Sequence, residues 1–490
     1  MNLAYLKSGT DIRGVAVGDN LQLTDEIIER IALAFLSIIK DRTEKEYKDL
    51  TICVGHDSRI SADRIKNALM RAFSSKGVKT YDCGLSSTPS MFTVCLDTGC
   101  DASVQITASH HPYDKNGLKF FTKDGGFEGS DISEILSRAE KLESVGEVPI
   151  KVEKLDYRPV YCDRLKKLIC DALGGDRPLQ GLHIVTDAGN GAGGFFATDV
   201  LAPLGADITG SEFLEPDGMF SNHIPNPENE TAMGFICRSV LKNKADLGVI
   251  FDTDVDRAAC VGADGQEINR NALVALASVI ALENSPGGTI VTDSVTSDGL
   301  KKFIEQHLGG VHYRYKRGYK NVINKALELN ENGIDCPLAI ETSGHAALRE
   351  NYFLDDGAYL MVRIIILLAR LKKENRDLSD LLKDLEKPAE AKEIRYKINT
   401  YDFKGYGENV LSELQKYCSE FDFLTPADDN REGFRVSFDK NHGDGWLLLR
   451  LSVHDPVLPL NIESNSVGGV QIIENFFTEF VRKFDKLSIK

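Results

Sequence analysis

The residue with the clearest chemical potential is Ser109, set in Thr107-Ala108-Ser109-His110-His111-Pro112 and followed by Asn116-Gly117-Leu118-Lys119-Phe120. A serine beside a histidine and close to a lysine supplies a nucleophile, proton acceptors and an electrostatic partner. The same residue types also populate ordinary turns. A serine hydrolase would place its nucleophile in a G-x-S-x-G elbow, whereas Ser109 is flanked by Ala108 and His110. Neighbouring side chains diverge, so His110 and His111 are not expected to form a zinc pair.

A second constellation, Phe251-Asp252-Thr253-Asp254-Val255-Asp256-Arg257, follows an apolar strand pattern from Leu247. Alternating carboxylates converge on a hard cation, which prefers oxygen ligands. A solvated acidic turn is the plain alternative, but three like charges this close repel unless a cation neutralises them. A calcium loop of the EF-hand kind needs Gly at its sixth position and Glu at its twelfth, where this chain has Arg257 and Ala263. The pattern points to magnesium bridging to a phosphate, with Arg257 available to the phosphate oxygens.

Two further motifs follow strands. Gly189-Asn190-Gly191-Ala192-Gly193-Gly194 satisfies G-x-G-x-x-G, with Asp207 and Glu212 downstream where a ribose-binding acid would fall. A dinucleotide-dependent oxidoreductase is therefore the competing class, although it leaves Ser109 and the aspartates unused. Glycine turns also serve simply to pack a helix against its sheet. Glu341-Thr342-Ser343-Gly344-His345, after Leu338-Ala339-Ile340, offers the donors and acceptors that sugar hydroxyls need, or an ordinary helix N-cap.

These loops need a scaffold, and one local plan recurs: an apolar strand, an aspartate-bearing turn, then a helical pattern. It appears over 51–73, 182–201 and 289–308, and predicts three α/β domains. Lys387 to Glu393 is polar, contains Pro388 and reads as a linker. Beyond it, a helix over 407–420, strands over 434–438 and 446–453 and a helix over 468–484 predict a small α+β domain. The expected limits are 1–157, 158–262, 263–386 and 387–490.

A chain of 490 residues with 42% hydrophobic and 27% charged residues is expected to fold into several globular domains. The net charge of −16 argues against nucleic acid or an anionic membrane as a partner, but leaves room for a local basic pocket that takes phosphorylated small molecules. Ten cysteines without a C-x-x-C pair read as reduced thiols. The apolar run Tyr359 to Leu371 is broken by Arg363 and Arg370, which predicts a buried helix rather than a membrane span. No signal-peptide pattern opens the chain, and the loop at Ser8 leaves no room ahead of it for a removable leader, so a cytoplasmic location is expected.

In this order and spacing, the motifs resemble those of the α-D-phosphohexomutases, the phosphoglucomutase and phosphomannomutase superfamily, across essentially the whole chain. Ser8-Gly9-Thr10-Asp11-Ile12-Arg13-Gly14 is similar to that family's N-terminal loop and implies an active-site role for Arg13. TASHHP resembles the phosphoserine loop, with His111 in place of the usual Asn, and makes Ser109 the phosphorylated residue. DTDVDR implies that Asp252, Asp254 and Asp256 bind magnesium together with the phosphoserine, and ETSGH implies that Glu341 and Ser343 contact sugar hydroxyls. By the same comparison His110, Lys119 and His345 become candidates for proton transfer and charge stabilisation. The implied fold is three similar α/β domains with mixed sheets and a smaller C-terminal α+β domain around a central cleft. The implied reaction interconverts hexose 1-phosphate and hexose 6-phosphate through a phosphoserine and a bisphosphorylated sugar, in a monomer or dimer primed by a hexose 1,6-bisphosphate.

The resemblance departs at the phosphate-binding loop of the last domain, usually close to R-x-S-[GN]-T-E-P. Here the run is Arg450-Leu451-Ser452-Val453-His454-Asp455-Pro456, so Arg450 and Ser452 are kept while His454 replaces the threonine, and Pro459 sits near the position where the family has a later Arg. A site of Arg450, Ser452 and His454 is expected still to bind phosphate, with Arg317 and Lys320 supplying added charge or forming a solvated turn. The expected substrates are glucose and mannose phosphates. A glucosamine-phosphate mutase and a weakened paralogue that only binds sugar phosphate are the alternatives.

Overall fold

A computed structural model describes residues 2–452 and 455–489. The chain divides into two compact units, Met1–Ile280 with Ser343–Leu381, and Ala281–Thr342 with Leu382–Lys490.

The first unit holds two sheets. In the larger, strands run in the order Lys7–Ser8, Asp11–Val15, Lys115–Thr122, Ala102–Ile106, Thr51–His56, Lys79–Leu85 and Glu153–Lys154. Side chains alternate across a strand. Ile52, Val54, Val104, Leu118 and Phe120 join the helices Asp25–Thr43, Ala62–Ser75 and Gly129–Ala139 in one apolar core. The opposite face takes the helix Thr88–Thr98: the Ser103 hydroxyl donates to the Met91 carbonyl, and a Cβ at Gly55 would lie 2.5 Å from Met91 Sδ.

The smaller sheet runs Glu267–Ile268, Ala258–Gly262, Leu247–Phe251, Ile184–Asp187. Its two inner strands are buried along their length, so they read as unbroken apolar runs. The same unit contains the hairpin pair Ala346–Leu348 and Leu354–Asp355 and the helix Gly357–Lys373. That helix is the apolar run expected to be buried; Arg363 within it pairs with Glu350 at 2.8 Å, and no helix among the described residues is long and apolar enough to cross a membrane.

In the second unit, Thr289–Thr292 pairs in parallel with both Val311–Arg314 and Leu338–Ile340, beside the helix Tyr319–Glu331. A separate antiparallel sheet runs Leu424–Pro426, Phe434–Phe438, Gly445–Leu449, Val457–Ser464, Glu390–Ile398, Leu487–Ile489, backed by helices Phe403–Cys418 and Gly469–Val481. The protein thus has three α/β sheets and a C-terminal α+β fold, as expected. The reading of Lys387 to Glu393 as linker is corrected, because the strand Glu390–Ile398 begins inside it. Only Ile394, Tyr396 and Ile398 of that strand turn inward, so its first half carries polar residues, and Glu390 is spent accepting from the backbone N–H groups of Gly468 and Val470 at the start of a helix.

Candidate active site

The site in the first unit is built from loops at strand ends. Residues 107–114 link the antiparallel strands Ala102–Ile106 and Lys115–Thr122, and Ser109 sits there with φ +50°, in the left-handed region that non-glycine residues seldom enter. Its side chain is nearly inaccessible; Oγ donates to Asp252 Oδ2 at 2.8 Å and lies 3.3 Å from Arg257 Nη2.

Asp252, Asp254 and Asp256 follow the strand Leu247–Phe251 in a loop closed by Asp252 N donating to the Arg257 carbonyl. Val255, at φ +68°, turns this loop, so the three odd-spaced carboxylates gather with their ligand oxygens within 4.8 Å of one another, all buried. Tight backbone packing supports it from two sides. Ala192 N donates to the Thr253 carbonyl at 2.8 Å, and a Cβ at Gly191 would lie 2.5 Å from that oxygen. Gly357 N donates to the Val255 carbonyl, where a Cβ at Gly357 would lie 2.7 Å from Arg257 C. The G-x-G-x-x-G turn is therefore occupied in carrying the aspartate loop.

Lys119 Nζ reaches Asp254 Oδ2 at 2.9 Å and also bonds Asp256 Oδ2. Asp254 Oδ1 and Asp256 Oδ1 remain buried without a hydrogen-bond partner. Burial and repulsion from Asp256 and Asp254 push the Asp252 carboxyl well up. Burial would raise Asp256 too, but Lys119, His345 and Arg257 hold it below the usual carboxylate range. An all-oxygen, charge-rich set with unfilled acceptors fits a divalent cation. A second group, Asp256, His345 and Asp355, lies beside it. His345 Nδ1 is 2.5 Å from Asp355 Oδ2 and 3.9 Å from Asp256 Oδ1; against the effect of burial, these carboxylates raise the imidazole to about 9.

His110 Nδ1 accepts from Arg257 Nη2 at 2.6 Å, and burial together with Arg257 and His111 pushes His110 down to about 2. The expected divergence of His110 and His111 is corrected: their rings stack, 5.2 Å between centroids and 23° apart. Burial and Arg13 push His111 down to about 3, so both imidazoles are neutral. Arg13, on the strand Asp11–Val15 opposite Gly117, is held by Asp11 at 2.6 Å. Ser343 and His345 belong to this unit, and Ser343 is buried.

Glu341, Arg450 and Ser452 belong to the second unit. Glu341 Oε1 accepts from Gly318 N at 2.6 Å, next to Arg317, whose own N–H donates to Glu432 at 3.1 Å. Arg450 is 8% exposed with Nε unpartnered, and burial, reinforced by Arg317, lowers its guanidinium. The Ser452 hydroxyl accepts from Asp455 N at 3.2 Å. His454 lies outside the described residues.

Four supporting residues lie outside the candidate set read from the sequence. Thr88 begins a helix after Ser87 and bonds Asp254 twice, N to the carbonyl at 2.8 Å and Oγ1 to Oδ2 at 2.5 Å. Asp355 ends a two-residue strand and faces His345. Asp57 and Arg59 follow the strand Thr51–His56 and sit beneath the Ser109 loop. The Asp57-x-Arg59 turn after an apolar strand was the available clue.

Comparison with known proteins places similarity along the whole chain. Models of the phosphoglucomutase/phosphomannomutase α/β/α domains I, II and III match residues 6–145, 159–265 and 269–388. A phosphoglucomutase of Neisseria gonorrhoeae is 28% identical over 473 residues, 95% of this chain and 94% of its own. A phosphomannomutase/phosphoglucomutase of Pseudomonas aeruginosa PAO1 is 28% identical over 478 residues, 97% of this chain and 95% of its own. The crystal structure of a phosphoglucomutase/phosphomannomutase family protein from Burkholderia thailandensis is similar with a TM-score of 0.79 at 26% identity, over 99% of this chain and 98% of that one.

Proposed function

This chain belongs to the phosphoglucomutase/phosphomannomutase family, and from that premise we propose that it interconverts the 1- and 6-phosphates of glucose and mannose through a phosphoserine at Ser109. The observation that supports this reading most is Ser109 Oγ itself, lodged between Asp252 and Arg257 at 2.8 and 3.3 Å. A hydroxyl so placed is an acceptor and donor of phosphoryl groups with an arginine ready for the transferring oxygens.

In the forward step a sugar hydroxyl attacks phosphorus, the Oγ–P bond breaks, and the hydroxyl proton passes to a nearby base. The resulting hexose bisphosphate returns its other phosphate to Ser109. Magnesium held by Asp252, Asp254 and Asp256 with the phosphoserine would offset the charge on the phosphoryl group. Arg257, Arg13 and Lys119 add positive charge around Ser109, while His110, kept neutral, and His345, kept protonated, are the proton-transfer candidates. Glu341 and Ser343 take sugar hydroxyls; Arg450, Ser452 and His454 take the phosphate that is not reacting, with Arg317 and Lys320 adding charge. A hexose 1,6-bisphosphate phosphorylates Ser109 at the start. Domain limits at 157, 262 and 386, a monomer or dimer, and a cytoplasmic location complete the proposal.

Conversion of glucose, mannose and glucosamine 1-phosphates to 6-phosphates, with magnesium and the matching bisphosphates, tests it. Turnover that disappears in Ser109→Ala supports the reading. No turnover by phosphorylated, magnesium-loaded protein on any of the three sinks it.

A further inference from the structure

Arg59 is 2% exposed and lies in the turn after Thr51–His56, where its backbone N–H donates to Asp57 Oδ1 at 2.9 Å. Its guanidinium spends its donors on main-chain carbonyls of one loop. Nη1 reaches Pro112 O at 2.7 Å and Lys115 O at 2.9 Å; Nη2 reaches His111 O at 2.6 Å and also bonds Ser109 O. Nε sits 3.2 Å from Asp57 Oδ2, off the hydrogen-bond line. That same carboxylate oxygen accepts from Thr107 Oγ1 at 2.7 Å, and Thr107 Oγ1 in turn accepts from Ser109 N at 2.9 Å. One Asp–Arg pair therefore grips Ser109 from both sides, its C=O through Arg59 and its N–H through Thr107.

The grip is sealed from outside. Gly218 packs so closely that a Cβ there would lie 2.4 Å from Ser58 O, and the Phe220 ring stands 5.1 Å from the Arg59 guanidinium. A left-handed non-glycine residue is strained and persists only where its surroundings over-determine it. Ser109, at φ +50°, is such a residue.

We propose that Arg59 is a positioning residue for phosphoryl transfer, clamping the carbonyls of residues 109–115 so that Ser109 Oγ stays aimed at Asp252 and Arg257. The inference rests on the mutase reading for its kinetic consequence, but the clamp is readable without activity. A planar guanidinium presents five donors in a fixed fork, whereas an ammonium offers three from one point and cannot span four carbonyls. Arg59→Lys keeps the charge opposite Asp57 and loses the fork.

Two measurements on the full chain test this. Hydrogen exchange of the 107–115 backbone is compared between wild type and Arg59→Lys, and kcat and KM are followed on the three sugar phosphates. Exchange should rise at least tenfold in that segment, and kcat should fall roughly 100-fold, the scale of a 1 Å misplacement, with KM within threefold. In Arg59→Ala, added guanidinium should restore part of kcat and ammonium none. Unchanged exchange in Arg59→Lys, a loss confined to KM, or equal rescue by both cations would overturn the clamp. Raised exchange with a wild type inactive on every sugar would uphold the clamp and sink the substrate reading instead. If Arg59→Lys does not fold, Thr107→Val cuts the Asp57–Thr107–Ser109 N–H arm and leaves the Arg59 fork in place; exchange should then rise at Ser109 and be restored in Thr107→Ser while 111–115 stays protected, and loss of protection across the whole 107–115 segment would overturn Arg59 as its clamp.

Discussion

Replacing Lys119 with methionine keeps the length of the side chain and removes an ammonium shared by two buried carboxylates. The side chains of Lys119, Asp254 and Asp256 are 5%, 0% and 2% exposed, so solvent does little to screen the loss. Breaking a buried ion pair by deleting one partner costs about 3–5 kcal/mol, since the remaining charge is left uncompensated. The unit that contains the pair has about 320 residues, and unfolding entropy near 2.1 cal/mol/K per residue then gives about 0.7 kcal/mol per degree. The melting temperature of metal-free Lys119→Met should therefore fall by about 4–8 °C, read by calorimetry in EDTA. Because Lys119 helps hold Asp256 below the ordinary carboxylate range, the deficit should be full above pH about 4 and shrink as the pH falls further. Magnesium at a hundredfold excess over its Kd adds about 2.7 kcal/mol to any protein with one native site. With the competing ammonium gone, the magnesium-induced rise should be larger in the variant than in wild type. A drop below about 1 °C in EDTA, or equal magnesium shifts in both proteins, would refute the idea that Lys119 and a cation neutralise the same carboxylates.

Gly191→Ala should cut turnover about 100-fold and weaken magnesium binding, because its Cβ would lie 2.5 Å from Thr253 O and 2.8 Å from Thr253 Cα, backbone that cannot yield without shifting the aspartate loop. Magnesium titration together with turnover checks this, and wild-type affinity would count against it. His345, raised to about 9 by Asp355 and Asp256 from the ordinary imidazole value of 6.5, contributes stability that is fully present below pH 6.5 and lost as the pH rises through about 9. Metal-free His345→Gln should lack that part of the slope, about 3–4 kcal/mol, when melting is followed from pH 6 to 10.

The legible parts of the site were those written in consecutive residues. Ser109 with its histidines, and the aspartates at alternate positions after an apolar strand, announce their chemistry over six or seven residues. Thr88 and Asp254 are 166 positions apart, and nothing in Ser87-Thr88-Pro89 distinguishes a helix start that braces a metal loop from any other. Arg59 lies 50 positions ahead of Ser109 and reaches that loop through main-chain oxygens, which leave no pattern of side-chain types. The helix over 469–481 and the strand over 434–438 followed from periodicity, whereas Glu390–Ile398 was hidden because its opening residues face outward. The stacking of His110 on His111 is a matter of side-chain placement that the order of residue types does not convey.

The first unit is discontinuous in sequence, and the return of the chain at Ser343 has a consequence for synthesis. The aspartate loop leaves the ribosome well before the residues that complete it: the Gly357 amide that meets Val255 O and the Asp355 carboxylate that steadies His345 follow about a hundred residues later. A nascent chain halted within 281–342 would carry Ser109 and all three aspartates, yet lack the brace that holds their loop in its left-handed turn at Val255. Ser109 and the three aspartates are thus made early and braced late, which ties assembly of the candidate site to synthesis beyond Gly357.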